Sequence, residues 1–184
     1  MSHDHGPTAD VSVRLAWGDD AAAIAGVQVR AWPELYAGVL PPEALPTDVE
    51  AVAAQWREVL AKPVDARNRA LVALERNRVV GFVLTSPAVD PDCDPVADGE
   101  VAEVTLDPDE RAKGHGSRLL QAAVDTLAAD RFTRAVTWVN AEDDALRRFF
   151  TDAGWAPDTA HRELDLDGTG TTTVKQVRLH AAIG

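Results

Sequence analysis

The chain has 184 residues, 46% of them hydrophobic and 26% charged, an ordinary globular composition that suits one domain with a full core. Its formal net charge of -12 argues against nucleic acid or an anionic membrane as the main partner, because both reward clustered Lys and Arg. The same charge favours a cationic acceptor such as an amine, and also serves plain solubility.

One cysteine, Cys93, excludes an intrachain disulfide. No apolar run reaches transmembrane length, so a soluble, cytoplasmic protein is expected. Residues 1–10 read as a flexible N-terminal tail, in which His3 and His5 belong to a frayed end, and 11–184 as the domain.

Val11, Val13 and Leu15 alternate with polar or small residues and predict a first strand. Gly18-Asp19-Asp20 supplies caps and first-turn acids for a helix in which Ile24, Val27 and Ala31 keep helical spacing up to Trp32-Pro33. Leu35 to Pro42 is an aromatic, proline-rich bend. Thr47 with Glu50 predicts a capping box for a second helix, its apolar face being Val49, Val52, Ala53, Trp56, Val59 and Leu60.

Ala70 to Leu74 and Val79 to Leu84 form a hairpin pattern around Glu75-Arg76-Asn77-Arg78. Both runs are almost continuously apolar, which implies a sheet covered on both faces. Ser86 to Gly99, with Asp90, Asp92, Asp94 and Asp98, reads as an exposed, mobile loop. A calcium loop fails there, because Pro95 and Val101 stand where Gly and Glu are required.

The strand-like run Val101 to Leu106 comes next, followed by Asp107-Pro108 and by Arg111-Ala112-Lys113-Gly114-His115-Gly116-Ser117 at the mouth of a helix. Two glycines one residue apart let several backbone N–H groups turn toward one point. The helix adds unpaired donors and the positive end of its dipole, so a phosphate or pyrophosphate is the natural occupant. A dinucleotide fingerprint is excluded by Leu119, and the Gly-Lys-Ser/Thr of a Walker loop is absent.

A third helix is predicted from about Gly116 to Ala129, with Leu119, Leu120, Ala123, Val124 and Leu127 inward, and a fifth strand over Ala135 to Val139. Asp143-Asp144 caps a fourth helix that carries Leu146, Phe149 and Phe150 inward and ends at Gly154. Leu164 and Leu166, then Val174, Val177 and Leu179, predict two closing strands around Asp167-Gly168-Thr169-Gly170.

Leu106-Asp107-Pro108 followed by Arg111, Gly114 and Gly116 closely resembles the acyl-CoA-binding signature of the GNAT superfamily, the acetyl-CoA-dependent N-acetyltransferases. Phe149-Phe150 and Gly154-Trp155 are similar to the superfamily's last helix, with Asp143 and Phe150 standing where an Asn and a Tyr are usual. The resemblance implies an α/β (α+β) fold. Its mixed, mostly antiparallel sheet would have about seven strands, flanked by about four helices and splayed between the fourth and fifth strands.

The resemblance further implies acetyl-CoA as co-substrate, with Val104, Thr105 and Leu106 on pantetheine and the thioester. The amides of Arg111, Ala112, Lys113, Gly114, His115, Gly116 and Ser117 fall to the pyrophosphate, and Asp143 and Phe150 complete the site. Glu100, eleven residues before Arg111, is the first candidate for general base and Glu103 the second. In a regular strand these two point to opposite faces unless a bulge intervenes.

Trp32 and Tyr36 are candidates for acceptor binding or for core packing. No metal is implied, and homodimers are frequent in the superfamily. The expected activity is N-acetylation of a small-molecule or peptide amine by direct transfer in a ternary complex. The alternative is a non-catalytic acyl-CoA-binding or sensing module, because Phe150 cannot protonate a leaving thiolate.

Overall fold

The computed structural model describes residues 10–184. The expected tail, including His3 and His5, lies outside the described residues except for Asp10. The chain runs β1 (Val11–Leu15), α1 (Ala21–Leu35), α2 (Val49–Ala61), β2 (Arg69–Glu75), β3 (Arg78–Pro87), β4 (Asp98–Leu106), α3 (His115–Ala129), β5 (Arg134–Asn140), α4 (Asp144–Asp152), β6 (Ala156–Asp165) and β7 (Thr173–Ala182).

The strands form one sheet in the order β1-β2-β3-β4-β5-β7-β6. Among the described residues only β4 and β5 pair in parallel. This is the mixed, mostly antiparallel architecture expected, with helices on both faces.

Each face buries its own cluster. Ile24 and Val27 of α1 and Val52, Ala53 and Trp56 of α2 pack on Val72 and Phe82. Leu119, Leu120, Ala123 and Leu127 of α3 pack on the opposite face with Val83, Val101, Val139 and Phe150. Burying each large apolar side chain contributes about 1.5–3 kcal/mol, so the central strands β2 and β3 gain from being apolar on both sides. At their hairpin, Arg76 and Asn77 both adopt positive φ, 50° and 63°, the geometry that matches the twist of the flanking strands.

Three local expectations are corrected. The cap of α2 is Asp48, not Thr47: its carboxylate accepts from the backbone N–H of Glu50 at 3.1 Å and of Ala51 at 3.2 Å. Only Val52, Ala53 and Trp56 of the predicted α2 face are buried, whereas Val49 and Val59 are exposed. Helix α1 continues past Pro33 to Leu35, because a proline in the last turn forfeits a single backbone bond.

The expectation for 86–99 is corrected as well. Strand β3 extends to Pro87 and β4 begins at Asp98, Ala88 is buried, and the aspartates are tied down. The buried Arg178 of β7 donates to Asp90 at 3.1 Å, Asp92 at 2.8 Å and Asp158 at 2.6 Å, and meets the Cys93 sulfur at 3.4 Å. A buried guanidinium requires such partners. Val89 and Val96 are exposed as expected, but the segment is a clamped strap rather than a loose loop, with Arg178 beside Cys93.

Candidate active site

The site is created by a fork in the sheet. β4 pairs with β5 only where Asp98–Glu100 meets Arg134–Val136, after which the strands diverge. At the apex, Thr137 Oγ1 donates to the Val101 carbonyl at 2.8 Å. Beyond it the free edge of β4 opens on a cleft of about 1070 Å³, at the upper end of the range for small-molecule sites.

Val104, Thr105 and Leu106 line this cleft from β4, with Arg111 and Gly116 from the glycine loop and Asp143, Leu146 and Phe149 from α4. The turn after α1 and the β6–β7 hairpin form the facing wall through residues such as Val39 and Lys175.

The loop adopts the geometry of an anion cradle. Ala112 and Gly114 both have positive φ, 61° and 83°, and Gly114 caps α3 with no side-chain hydrogen bond to its first turn. The first-turn donors and the positive helix end are thus left to an external partner. A Cβ on Gly116 would rest 3.4 Å from Phe149, so the backbone here lies close under α4.

The loop cations are already paired. Arg111 bridges to Glu34, and Lys113 reaches Glu110 at 2.8 Å. Lys113 and Arg78 together hold the Glu110 carboxyl down at about 2. Ala112, Lys113, Gly114 and Ser117 are exposed, but the His115 ring is buried with its Nε2 3.6 Å from Glu75. Only the backbone of His115 belongs to the cradle.

A smaller cavity of about 280 Å³ adjoins the cleft, sharing Val104, Thr105, Asn140, Asp143 and Leu146. It gathers Trp32, Tyr36, Glu103 and Phe150. Phe150 is packed edge-to-face with Phe149 at 5.3 Å and Trp155 at 5.1 Å between centroids. Asp143 caps α4, accepting from the Leu146 N–H at 3.0 Å.

The two glutamates lie differently from a regular strand. Leu84 pairs with Glu103 but Thr85 pairs with Val101, so Ala102 is an extra, bulged residue. Glu100, opposite Ser86, and Glu103, opposite Leu84, are thereby brought to one face. Only Glu103 opens into the smaller cavity.

Burial raises the Glu103 carboxyl above its ordinary range, against the opposing effect of hydrogen bonds from Thr105 and Gln28. Thr105 Oγ1 donates to it at 3.0 Å. Burial likewise raises Glu100, reinforced by the charge of Asp90 and opposed by Arg162 and Arg178. The Tyr36 phenol is raised by burial and then by the Glu103 charge, which keeps it protonated.

Several lining residues carried no signal in the sequence. Gln28 is a polar position among the buried Ala25, Val27 and Ala31 of α1, and that is the one hint it offered. Trp138, Asn140 and Gln176 come from β5 and β7, and Gln176 donates to Asn140 Oδ1 at 3.0 Å. Their convergence depends on strand pairing that no local pattern reveals.

The chain is similar in structure to PaiA N-acetyltransferase from Thermoplasma acidophilum in complex with coenzyme A, at 16% identity over 94% of this chain and 99% of that one, with a TM-score of 0.68. It is similar to an N-acetyltransferase from Staphylococcus aureus Mu50, at 15% identity, 95% and 99% coverage and a TM-score of 0.70. Ribosomal-protein-alanine N-acetyltransferase from Brucella melitensis shares 18% identity, with 94% and 99% coverage and a TM-score of 0.71. No curated protein matches the chain by sequence. The sequence pattern of the acetyltransferase (GNAT) family matches residues 29–155, a span that holds the fork, the glycine loop and the Asp143–Trp155 segment. The chain therefore belongs to the acetyltransferase (GNAT) family.

Proposed function

We propose that this protein moves an acetyl group from acetyl-CoA to an amine by direct transfer, with Glu103 as the general base. The observation that carries this reading is the position of Glu103: a half-buried carboxylate lining a cavity that shares Val104 and Thr105 with the larger cleft. Glu103 thus takes precedence over Glu100, which lines neither.

Acetyl-CoA supplies the activated acetyl thioester. The fork fits its pantetheine, since the edge of β4 past Glu100 is free of β5, and the cradle from Arg111 to Ser117 fits its pyrophosphate. Because Arg111 and Lys113 are paired with carboxylates, the backbone N–H groups and the α3 dipole carry most of the phosphate recognition.

The acceptor reaches this site as an ammonium and must lose a proton before its nitrogen can attack. Glu103 takes that proton, directly or through one water. The nitrogen then bonds to the acetyl carbon and gives up a second proton to water, the carbon–sulfur bond breaks, and the electron pair leaves with sulfur. A thiol pKa of about 8.5 makes the thiolate a tolerable leaving group, so water can protonate it where Phe150 cannot.

Phe150 also favours a second reading, a non-catalytic acyl-CoA-binding module. Incubation with acetyl-CoA and a panel of amines, read by free-thiol release, separates the two. Release that depends on the amine supports the transferase. Silence across the panel, with CoA still raising thermal stability, supports the binding module.

A further inference from the structure

We infer that the acceptor is a small apolar amine that carries no carboxylate, such as an alkyl or arylalkyl amine rather than an amino acid. The inference rests on the proposed acetyl transfer and assigns the smaller cavity to the acceptor. The charges lining that cavity are those of Glu103 and Asp143, with no Lys or Arg among them. Its cations lie instead on the larger cleft, where Arg111 and Lys175 stand.

The remaining walls include the rings of Trp32, Tyr36 and Trp138, the aliphatic side chains of Leu164, Leu166 and Val174, and neutral polar groups such as Gln28, Asn140 and Gln176. An ammonium suits this combination, because a carboxylate attracts it and aromatic faces stabilise it. A substrate carboxylate would meet two like charges and no cation among the lining residues, at a desolvation cost that neutral donors offset only in part.

The cations beside this cavity are Arg178, 5.5 Å from the Trp138 ring and held by the strap aspartates, and Arg162, whose guanidinium is also committed. It stacks on the Trp138 ring at 4.2 Å and donates to Gln176 Oε1 at 2.8 Å. The volume of about 280 Å³ admits a single ring or short chain and little more.

Matched pairs test the inference: phenethylamine against phenylalanine, and 3-methylbutylamine against leucine. Free-thiol release with acetyl-CoA gives kcat/KM, and quenching of tryptophan fluorescence from Trp32 and Trp138 in the CoA-loaded protein gives binding whether or not turnover occurs. The amine of each pair is expected to be preferred by roughly 100-fold in both readouts, the scale on which an unpaired charge is rejected. Leu164→Arg, which places a cation in the wall, is expected to narrow that ratio.

Equal use of the amino acids, or a preference for them that disappears in Arg162→Met, overturns the inference. The same holds for a peptide N-terminus bound more tightly than phenethylamine. Absence of thiol release overturns the proposed transfer alone, since the fluorescence ratio still decides which amine the cavity accepts.

Discussion

The indole N–H of Trp56 donates to Oε1 of Gln28 at 2.9 Å, which leaves the amide NH2 of Gln28 for the Glu103 carboxylate. A buried aromatic of α2 thereby orients a polar side chain of α1 against the proposed base on β4. Both Gln28 and Thr105 stabilise the charged carboxylate and oppose the effect of its burial. Removing Gln28 by Gln28→Leu is expected to raise the Glu103 pKa further, moving the acid limb of the kcat/KM profile to higher pH. Loss of one such bond, about 1 kcal/mol, lowers the rate on the acid limb by up to roughly 5-fold. Trp56→Phe is expected to move the limb in the same direction, and an unmoved limb in both variants contradicts the positioning role.

The sign of the Glu103 shift also predicts a stability effect. A carboxyl raised in the fold holds its proton more tightly there than in the unfolded chain. Its contribution is therefore present below the unfolded pKa and is lost as pH rises through the folded value. Glu103→Gln, which mimics the protonated group, is expected to have a Tm at neutral pH no lower than wild type. Below the ordinary carboxylate range, near pH 4, that advantage is expected to vanish. Thermal melts at both pH values check this.

Gly114 occupies the left-handed region at φ 83°, where a Cβ would also lie 3.2 Å from Arg118. Gly114→Ala is expected to strain the cradle by about 1–3 kcal/mol and to weaken CoA binding measured by calorimetry. Gly116→Ala meets only ordinary contacts at 3.4–3.5 Å and should leave the fold intact. Equal CoA affinity for Gly114→Ala and wild type contradicts the cradle.

Arg178 ties the strap after β3 to β6 and β7 through Asp90, Asp92 and Asp158, and it holds the Asp92 carboxyl down at about 2. Arg178→Met leaves Asp90 without its cation while Asp158 keeps Arg134 at 2.8 Å, so a loss of about 3 kcal/mol is expected, the lower end for a buried ion pair broken on one side. In the wild-type protein the Asp92 contribution is present above its unfolded pKa and fades as pH falls toward 2. Chemical denaturation at neutral pH measures the first effect, and an acid titration of stability in both proteins measures the second.

The glycine loop was legible from the sequence because Leu106, Pro108, Gly114 and Gly116 act through local backbone geometry, and the helices and hairpin through local periodicity. The facing of Glu100 and Glu103 was not legible. It depends on the bulge at Ala102, which arises where β4 parts from β5 while staying paired with β3. Equally hidden was the clamp on the strap after β3, since Arg178 lies 88 positions from Asp90. The cap of α2 was misplaced by one residue because Thr47 and Asp48 are both good caps, and only the backbone turn chooses between them.

The central claim is that Glu103 removes the acceptor's proton. Its most direct test compares Glu103→Gln with wild type for free-thiol release from acetyl-CoA with phenethylamine, alongside CoA affinity by calorimetry. Turnover in Glu103→Gln is expected to fall by about 100-fold or more with CoA affinity unchanged. Turnover equal to wild type, or a comparable loss in Glu100→Gln alone, would contradict it.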